Sequence, residues 1–219
     1  MMVKPQAPSL HLGEIRVITQ EEFPKIMEQA LDEEEMCAFH FKQVDFGEAL
    51  MERVDWKNCL FESCKLQNVK ANGSYFSDIS FSGCDFSGAN LSDCVFSKAR
   101  LQGCKLIGTN LYACGLRDVL FSETVGDYAV FTKSRIKTVL FQECKFPYAS
   151  LDELTGRSFA FEGCILHSAN FYNTPLNGID LTDSDITSAM FTDRELRGAK
   201  VTSLQACELA KLLGVVIVD

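Results

Sequence analysis

Several kinds of chemistry are missing from this chain. It has only three histidines, His11, His40 and His167, and none has the spacing of a metal site or a catalytic triad. There is no glycine-rich phosphate loop and no Cys-x-x-Cys pair. No apolar run reaches the length of a membrane span, and Met1 to Leu12 lacks the apolar core of a secretory signal. Positive charge is also in short supply, since 21 Lys and Arg face 30 Asp and Glu for a net charge of −9. An enzyme, a cofactor and a bound metal are therefore not expected.

What the chain has is a period of five. From Phe41, every fifth residue is met in the order Phe46, Met51, Trp56, Phe61, Leu66 and onward to Leu196 and Val201. Only Ala71, Gly126 and Gly156 along that series are not large and apolar. The residue two places earlier is usually small or β-branched, as at Cys59, Cys64, Val69, Cys84 and Ala89. A helix repeats at 3.6 and a strand at 2, so neither gives this spacing. A fixed repeat of this kind is the mark of a solenoid whose neighbouring units bury a shared core.

The pentads Cys84-Asp85-Phe86-Ser87-Gly88, Ala89-Asn90-Leu91-Ser92-Asp93 and Ala169-Asn170-Phe171-Tyr172-Asn173 resemble those of the pentapeptide-repeat family. That resemblance implies an all-β fold, a right-handed quadrilateral β-helix with one pentad per side and twenty residues per coil. Roughly eight coils at about 4.8 Å each would make a rod about 40 Å long. The expected organisation is a tail and capping helix over residues 1–36, the β-helix over 37–201, and a C-terminal helix plus short strand over 202–219.

Ten cysteines would suit a secreted disulfide framework, but eight of them occupy the small inward position of a pentad: Cys59, Cys64, Cys84, Cys94, Cys104, Cys114, Cys144 and Cys164. There a thiol serves as a compact hydrophobe. Reduced cysteines place the protein in the cytoplasm. Gly126 and Gly156 replace core residues without shifting the frame, and are expected to bulge or widen a coil.

Met1 to Leu12 reads as a loose tail, and Glu14 to Thr19 as a short strand. A helix from about Pro24 would bury Phe23, Ile26, Met27, Ala30 and Leu31 as an end cap. After Val201 the period stops. Thr202 and Gln205 have capping-box spacing for a helix from Ser203 to Leu213, ended by Gly214, and Val215 to Val218 is β-prone. Gly198-Ala199-Lys200-Val201, Gln205-Ala206 and Leu213-Gly214-Val215-Val216-Ile217 resemble the C-terminus of the Qnr-type quinolone-resistance proteins and their mycobacterial relatives. The resemblance implies a homodimer with contacts at Leu204, Leu209, Leu212, Leu213, Val215 and Ile217. An intrachain end cap is the other reading of the same residues.

Residues that share a remainder on division by twenty stack in columns, so charges sort by side. Three sides are net acidic and the fourth is net basic. Beside Phe61 stand Glu62, Glu123, Glu143, Glu162 and Asp183. The resemblance implies that such carboxylates imitate duplex DNA toward a type II topoisomerase, chiefly gyrase, lessening damage by quinolones or topoisomerase poisons, without direct DNA binding. An ordinary solvated face would look similar, and a scaffold that binds another protein through its charged sides is the competing function. On the fourth side Lys57, Arg117, Lys137, Arg157 and Arg197 share one column. A phosphate, an acidic partner or neighbouring carboxylates would relieve their repulsion.

Overall fold

A computed structural model describes residues 4–11, 15–47, 49–192, 194–216 and 218. Each residue of the repeat meets its counterpart twenty positions on. Phe41 faces Phe61, Phe61 faces Phe81, Phe81 faces Leu101, and the series continues through Phe121 and Phe141 to Phe161. The strands are β1 (Arg16–Ile18), β2 (Glu35–Cys37), β3 (Phe39–Lys42), β4 (Asp55–Lys57), β5 (Leu60–Glu62), β6 (Tyr75–Ser82), β7 (Val95–Gln102), β8 (Gly115–Ser122), β9 (Arg135–Gln142) and β10 (Thr155–Glu162). All pair in parallel. On the side of Phe41 the paired strands form seven levels, and single bridges carry the stack on to Asp180 and Lys200. The paired strands thus make up about seven turns of the solenoid.

The chain turns most of its corners at the residue two after an apolar centre. These residues hold left-handed φ values, as at Asp78 (49°), Asp118 (53°), Glu123 (51°) and Glu143 (53°). The centres point inward. Phe61 and Phe81 stack at 4.6 Å, Phe76 and Phe96 at 4.8 Å, and Phe121 and Phe141 at 4.9 Å between ring centroids. Parallel strands lie about 4.8 Å apart, so one coil step brings equivalent rings into contact. Each buried Phe contributes roughly 2–3 kcal/mol.

The small inward position does more than fit. All eight cysteines there are buried and unpaired. Cys64 Sγ donates to the Phe41 carbonyl at 3.2 Å, Cys114 to Leu91 at 3.1 Å and Cys164 to Phe141 at 3.3 Å. Hydroxyls take the same role where they replace the thiol, with Thr109 Oγ1 on the Phe86 carbonyl at 2.8 Å and Ser134 Oγ on Leu111 at 2.9 Å. The position therefore takes any small or β-branched side chain, apolar as at Val69, Ala89 and Val119, and a thiol or hydroxyl there also donates to a carbonyl of the preceding coil.

Neither core glycine shifts the register. At Gly126 an added Cβ would lie 2.2 Å from Cε1 of Phe146, so the ring from the next coil occupies the space of the missing side chain. Gly156 sits at φ +125° with the Ile136 carbonyl oxygen 2.0 Å from a built Cβ, yet it still pairs with Ile136. Phe159, in a normally small position, is buried beside Phe161.

Helix α1 (Phe23–Glu33) closes the N-terminal end. Phe23, Ile26 and Met27 are buried, and the Phe23 ring lies 4.5 Å from that of Phe46. The side chains of Ala30 and Leu31 lie outside the described residues. Among the described residues before β1, 4–11 are no loose tail. Backbone N–H groups of His11, Ser9 and Gln6 donate to Oδ1 of Asn58, Asp78 and Asp118 at 3.0, 2.7 and 3.5 Å. Five residues thereby span three coils, or about 2.9 Å per residue, close to the rise of extended or polyproline chain. Pro5 and Pro8 predispose the segment to that path.

Helix α2 (Ser203–Ala210) starts from the expected capping box and runs into a 3-10 turn, Lys211–Leu213, that ends at Gly214 with φ 73°. Gln205 Nε2 donates at 2.9 Å to the carbonyls of both Leu181 and Ser184, satisfying the last coil's open edge. Among the described residues the expected strand after the helix is not seen: Val215, Val216 and Val218 lie outside any strand and are exposed. Ile217 lies outside the described residues.

Candidate functional site

The parallel stack turns sequence columns into physical ones, and the two charged sets part company there. Glu123, Glu143 and Asp183 project from one corner of the rod, with Glu162 in the adjoining column. Glu123 donates its N–H to the Gln142 carbonyl, and Glu143 to that of Glu162, at 2.9 and 2.8 Å. The backbone that aims these side chains is thus fixed by the coil ladder. Gln142 Nε2 reaches Glu162 Oε2 at 3.5 Å, and Ser184 Oγ donates to Asp183 at 3.2 Å. Among the described residues, none of the four carboxylates makes an ion pair. The set spans three coils, about 14 Å.

Glu62 does not join them. Its column runs through Ser82, Gln102, Ser122 and Gln142 before reaching Glu162, and the column of Glu123 holds Gly83 and Gly103 at the two coils between. Lys42 Nζ lies 3.1 Å and His40 Nε2 3.2 Å from its carboxylate. The Lys42 hydrogen bond holds that carboxyl below the usual range. Glu62 is a locally matched charge, which its sequence column alone does not reveal.

The basic column divides in the same way. Lys57 Nζ is 3.0 Å from Glu35 Oε1, a partner supplied by β2, and that hydrogen bond raises its pKa. Arg117 faces Lys137 and Lys137 faces Arg157 as Cα partners on β8, β9 and β10. Asn177 interrupts the column before Arg197. Arg135, a fourth-side residue by sequence, stands two residues before Lys137 on the same strand, and the structure adds an adjoining trough of about 300 Å³ at Gly115.

One charge of the fourth side faces inward. Glu195, a fourth-side residue by sequence, is buried and accepts hydrogen bonds from the N–H and hydroxyl of Thr192 and from the Asn173 N–H. Burial pushes its carboxyl up, and those hydrogen bonds outweigh it, so the net shift is downward. The Thr192-x-x-Glu195 spacing was the sequence signal for this turn.

At the C-terminal end α2 buries none of its residues. Leu204 is 77% exposed and Leu212 51%, and Val215 is also exposed, while Leu209 packs against the core. The side chain of Leu213 lies outside the described residues. Two apolar clefts flank the helix. One of about 700 Å³ is lined by Phe191, Leu196, Val201 and Leu209, and one of about 400 Å³ by Ile186, Ala189, Leu204 and Leu212. Elsewhere Tyr128 and Tyr148 form an exposed stack at 5.1 Å, with His167 edge-on to Tyr148. Among the described residues no group of three or more His, Cys, Asp or Glu is placed to hold a metal, and no helix is long and apolar enough to cross a membrane.

Sequence profiles agree with this architecture. "Pentapeptide repeats (8 copies)" matches residues 74–111 and 161–202, and "Pentapeptide repeat region" matches residues 96–171. No curated protein matches by sequence. Among solved structures, full-length QnrB1, a plasmid-mediated fluoroquinolone resistance protein, is 19% identical with a TM-score of 0.46, covering 83% of this chain and 90% of its own. HetL, a pentapeptide repeat protein involved in heterocyst differentiation regulation in the cyanobacterium Nostoc, is 17% identical with a TM-score of 0.47, covering 75% and 88%. Rfr23 from the cyanobacterium Cyanothece is 12% identical with a TM-score of 0.28, covering 83% and 96%. At such identities the likeness concerns the fold.

Proposed function

Because the chain belongs to the pentapeptide-repeat family, we propose that it is a non-enzymatic binding protein that offers its acidic corner to a type II topoisomerase, chiefly gyrase, in place of DNA. The observation that carries this reading is the unpaired set Glu123, Glu143, Glu162 and Asp183 on a rigid rod. Their spacing averages about one carboxylate per 5 Å, against one phosphate per about 3.4 Å along a DNA strand. A basic groove shaped for one strand would therefore meet the corner with somewhat fewer contacts. Left-handed backbone at Glu123 and Glu143 holds both side chains out from the corner.

The exposed helix α2 completes the proposal. Leu204, Leu212 and Val215, next to the two apolar clefts, would bury against a second copy and set two rods end to end. Protection of the topoisomerase from quinolones or other poisons would follow from occupying its DNA site, and the reading places the protein in the cytoplasm. The exposed Tyr128–Tyr148 stack favours a second reading, a scaffold for another protein partner, since exposed tyrosines are favoured contact residues.

Binding to immobilised gyrase, with linear duplex DNA as competitor, tests the first reading. The expected result is binding that duplex DNA displaces and that Glu143→Lys with Glu162→Lys abolishes. Absence of binding, or binding indifferent to those substitutions, refutes it. Light scattering on the intact chain and on Leu204→Arg with Leu212→Glu tests the dimer, which should revert to monomer in the variant.

A further inference from the structure

The side that carries the basic column has two unlike halves. Over the first half, and reaching as far as Asp118 beside Arg117, lies the chain's own N-terminal segment, with backbone N–H groups on Asn58, Asp78 and Asp118. The column residues there, Lys57, Ser77 and Ser97, are half-buried. In the second half the column continues as Arg117, Lys137 and Arg157, all exposed, with Arg135 beside them. Adjacent members stand about 4.8 Å apart. Among the described residues these four make no ion pair, whereas Lys57 in the same column is matched by Glu35. Gly115 leaves a trough next to Arg117, Arg135 and Lys137, in the column where Val95 and Arg135 carry side chains.

We propose that this open half is a docking track for an extended acidic segment of a partner protein, one that continues the path the N-terminal segment takes along the same side. The first half demonstrates the mode. An extended chain lies lengthwise on the rod, and its backbone N–H groups meet side-chain acceptors at Asn58, Asp78 and Asp118, with Lys98 in the coil between the last two. In the second half the repeated groups are cations, so the complementary feature of the ligand is a run of carboxylates. Four like charges within two coil steps repel, and an acidic segment relieves that repulsion on binding. A single-stranded nucleic acid fits less well. It needs aromatic platforms for its bases, and Tyr75 is the single aromatic side chain lining the trough.

The test uses the full-length protein and a fluorescein-labelled oligoglutamate peptide with a glycine at each end, followed by fluorescence anisotropy at low salt. An oligoglutamine peptide of the same length and a short single-stranded DNA serve as comparisons. The expected result is saturable binding of the glutamate peptide alone, weakened at least tenfold by Arg117→Glu with Arg157→Glu and by raising the salt beyond the range of surface electrostatics. Lys57→Glu, at a residue already paired, should leave binding within twofold. These substitutions are at exposed or half-buried positions, and circular dichroism checks each fold. If the double reversal fails to fold, Arg117→Gln with Lys137→Gln, which adds no negative charge, gives the same comparison. Tighter binding of the DNA through the same arginines overturns the proposal in favour of a nucleic-acid ligand. No peptide binding, or binding insensitive to all these variants, overturns it outright.

Discussion

Restoring the repeat at Gly126 should damage the protein. Every neighbour in that column is large, with Phe86, Leu106, Phe146 and Leu166 at the equivalent sites, so Gly126→Leu looks like a repair. The structure argues the reverse. A Cβ alone would sit 2.2 Å from Cε1 and 2.4 Å from Cδ1 of Phe146, against about 3.5–4.0 Å for carbons in contact. The Phe146 ring is fully buried, with Phe131 and Phe141 at 5.6 and 5.7 Å between centroids, and has nowhere to retreat. Overpacking of this kind costs about 1–3 kcal/mol, and this site belongs at the upper end. Phe146→Leu alone leaves a cavity and costs about 1–2 kcal/mol. The double variant places two leucines where glycine and phenylalanine stood, so it should be less destabilised than the sum by at least about 1.5 kcal/mol. Urea unfolding followed by far-UV circular dichroism reads this as midpoint shifts at unchanged m. A neutral or stabilising Gly126→Leu, or additivity in the double variant, would refute the packing argument.

Other consequences are simpler to check. Thiol titration of the native protein with a disulfide reagent should modify Cys37 and Cys207, which are exposed, and reach the eight buried cysteines only on unfolding; burial pushes Cys59 and Cys94 up to about 12. Gly156→Ala should cost more than about 1 kcal/mol in chemical denaturation, because its φ is left-handed and a Cβ meets the Ile136 carbonyl. Glu195→Ala strips the acceptor from Thr192 and Asn173 and should cost about 1–3 kcal/mol. Since the folded pKa of Glu195 lies below its unfolded value, its contribution is present above the unfolded pKa and is lost as pH falls through the folded one. The wild type should therefore lose its advantage over Glu195→Ala in acid, and a constant gap across that window would contradict the assignment.

The core was legible because a period of five fixes which residue points inward regardless of what lies outside it. Phe41, Phe61 and Phe81 could be stacked from arithmetic alone, and the structure stacks them. The charges were less legible, since their state depends on segments outside the repeat. Glu35 neutralises Lys57 only because β2 joins the first coil. Glu195 turns inward because Thr192 and Asn173 supply donors. The path of the N-terminal segment rests on contacts up to 112 residues apart in sequence, made by backbone N–H groups to Asn and Asp side chains. No local pattern encodes such contacts. The C-terminal valines read as strand by propensity, and propensity alone does not supply the paired edge a strand needs.

The most direct test of the proposed function is gyrase supercoiling with the purified protein titrated in. The account predicts inhibition at micromolar protein, or relief of quinolone-stabilised cleavage, that disappears with Glu143→Lys and Glu162→Lys and persists with Glu62→Lys. Supercoiling unchanged by the protein, with or without drug, would contradict it.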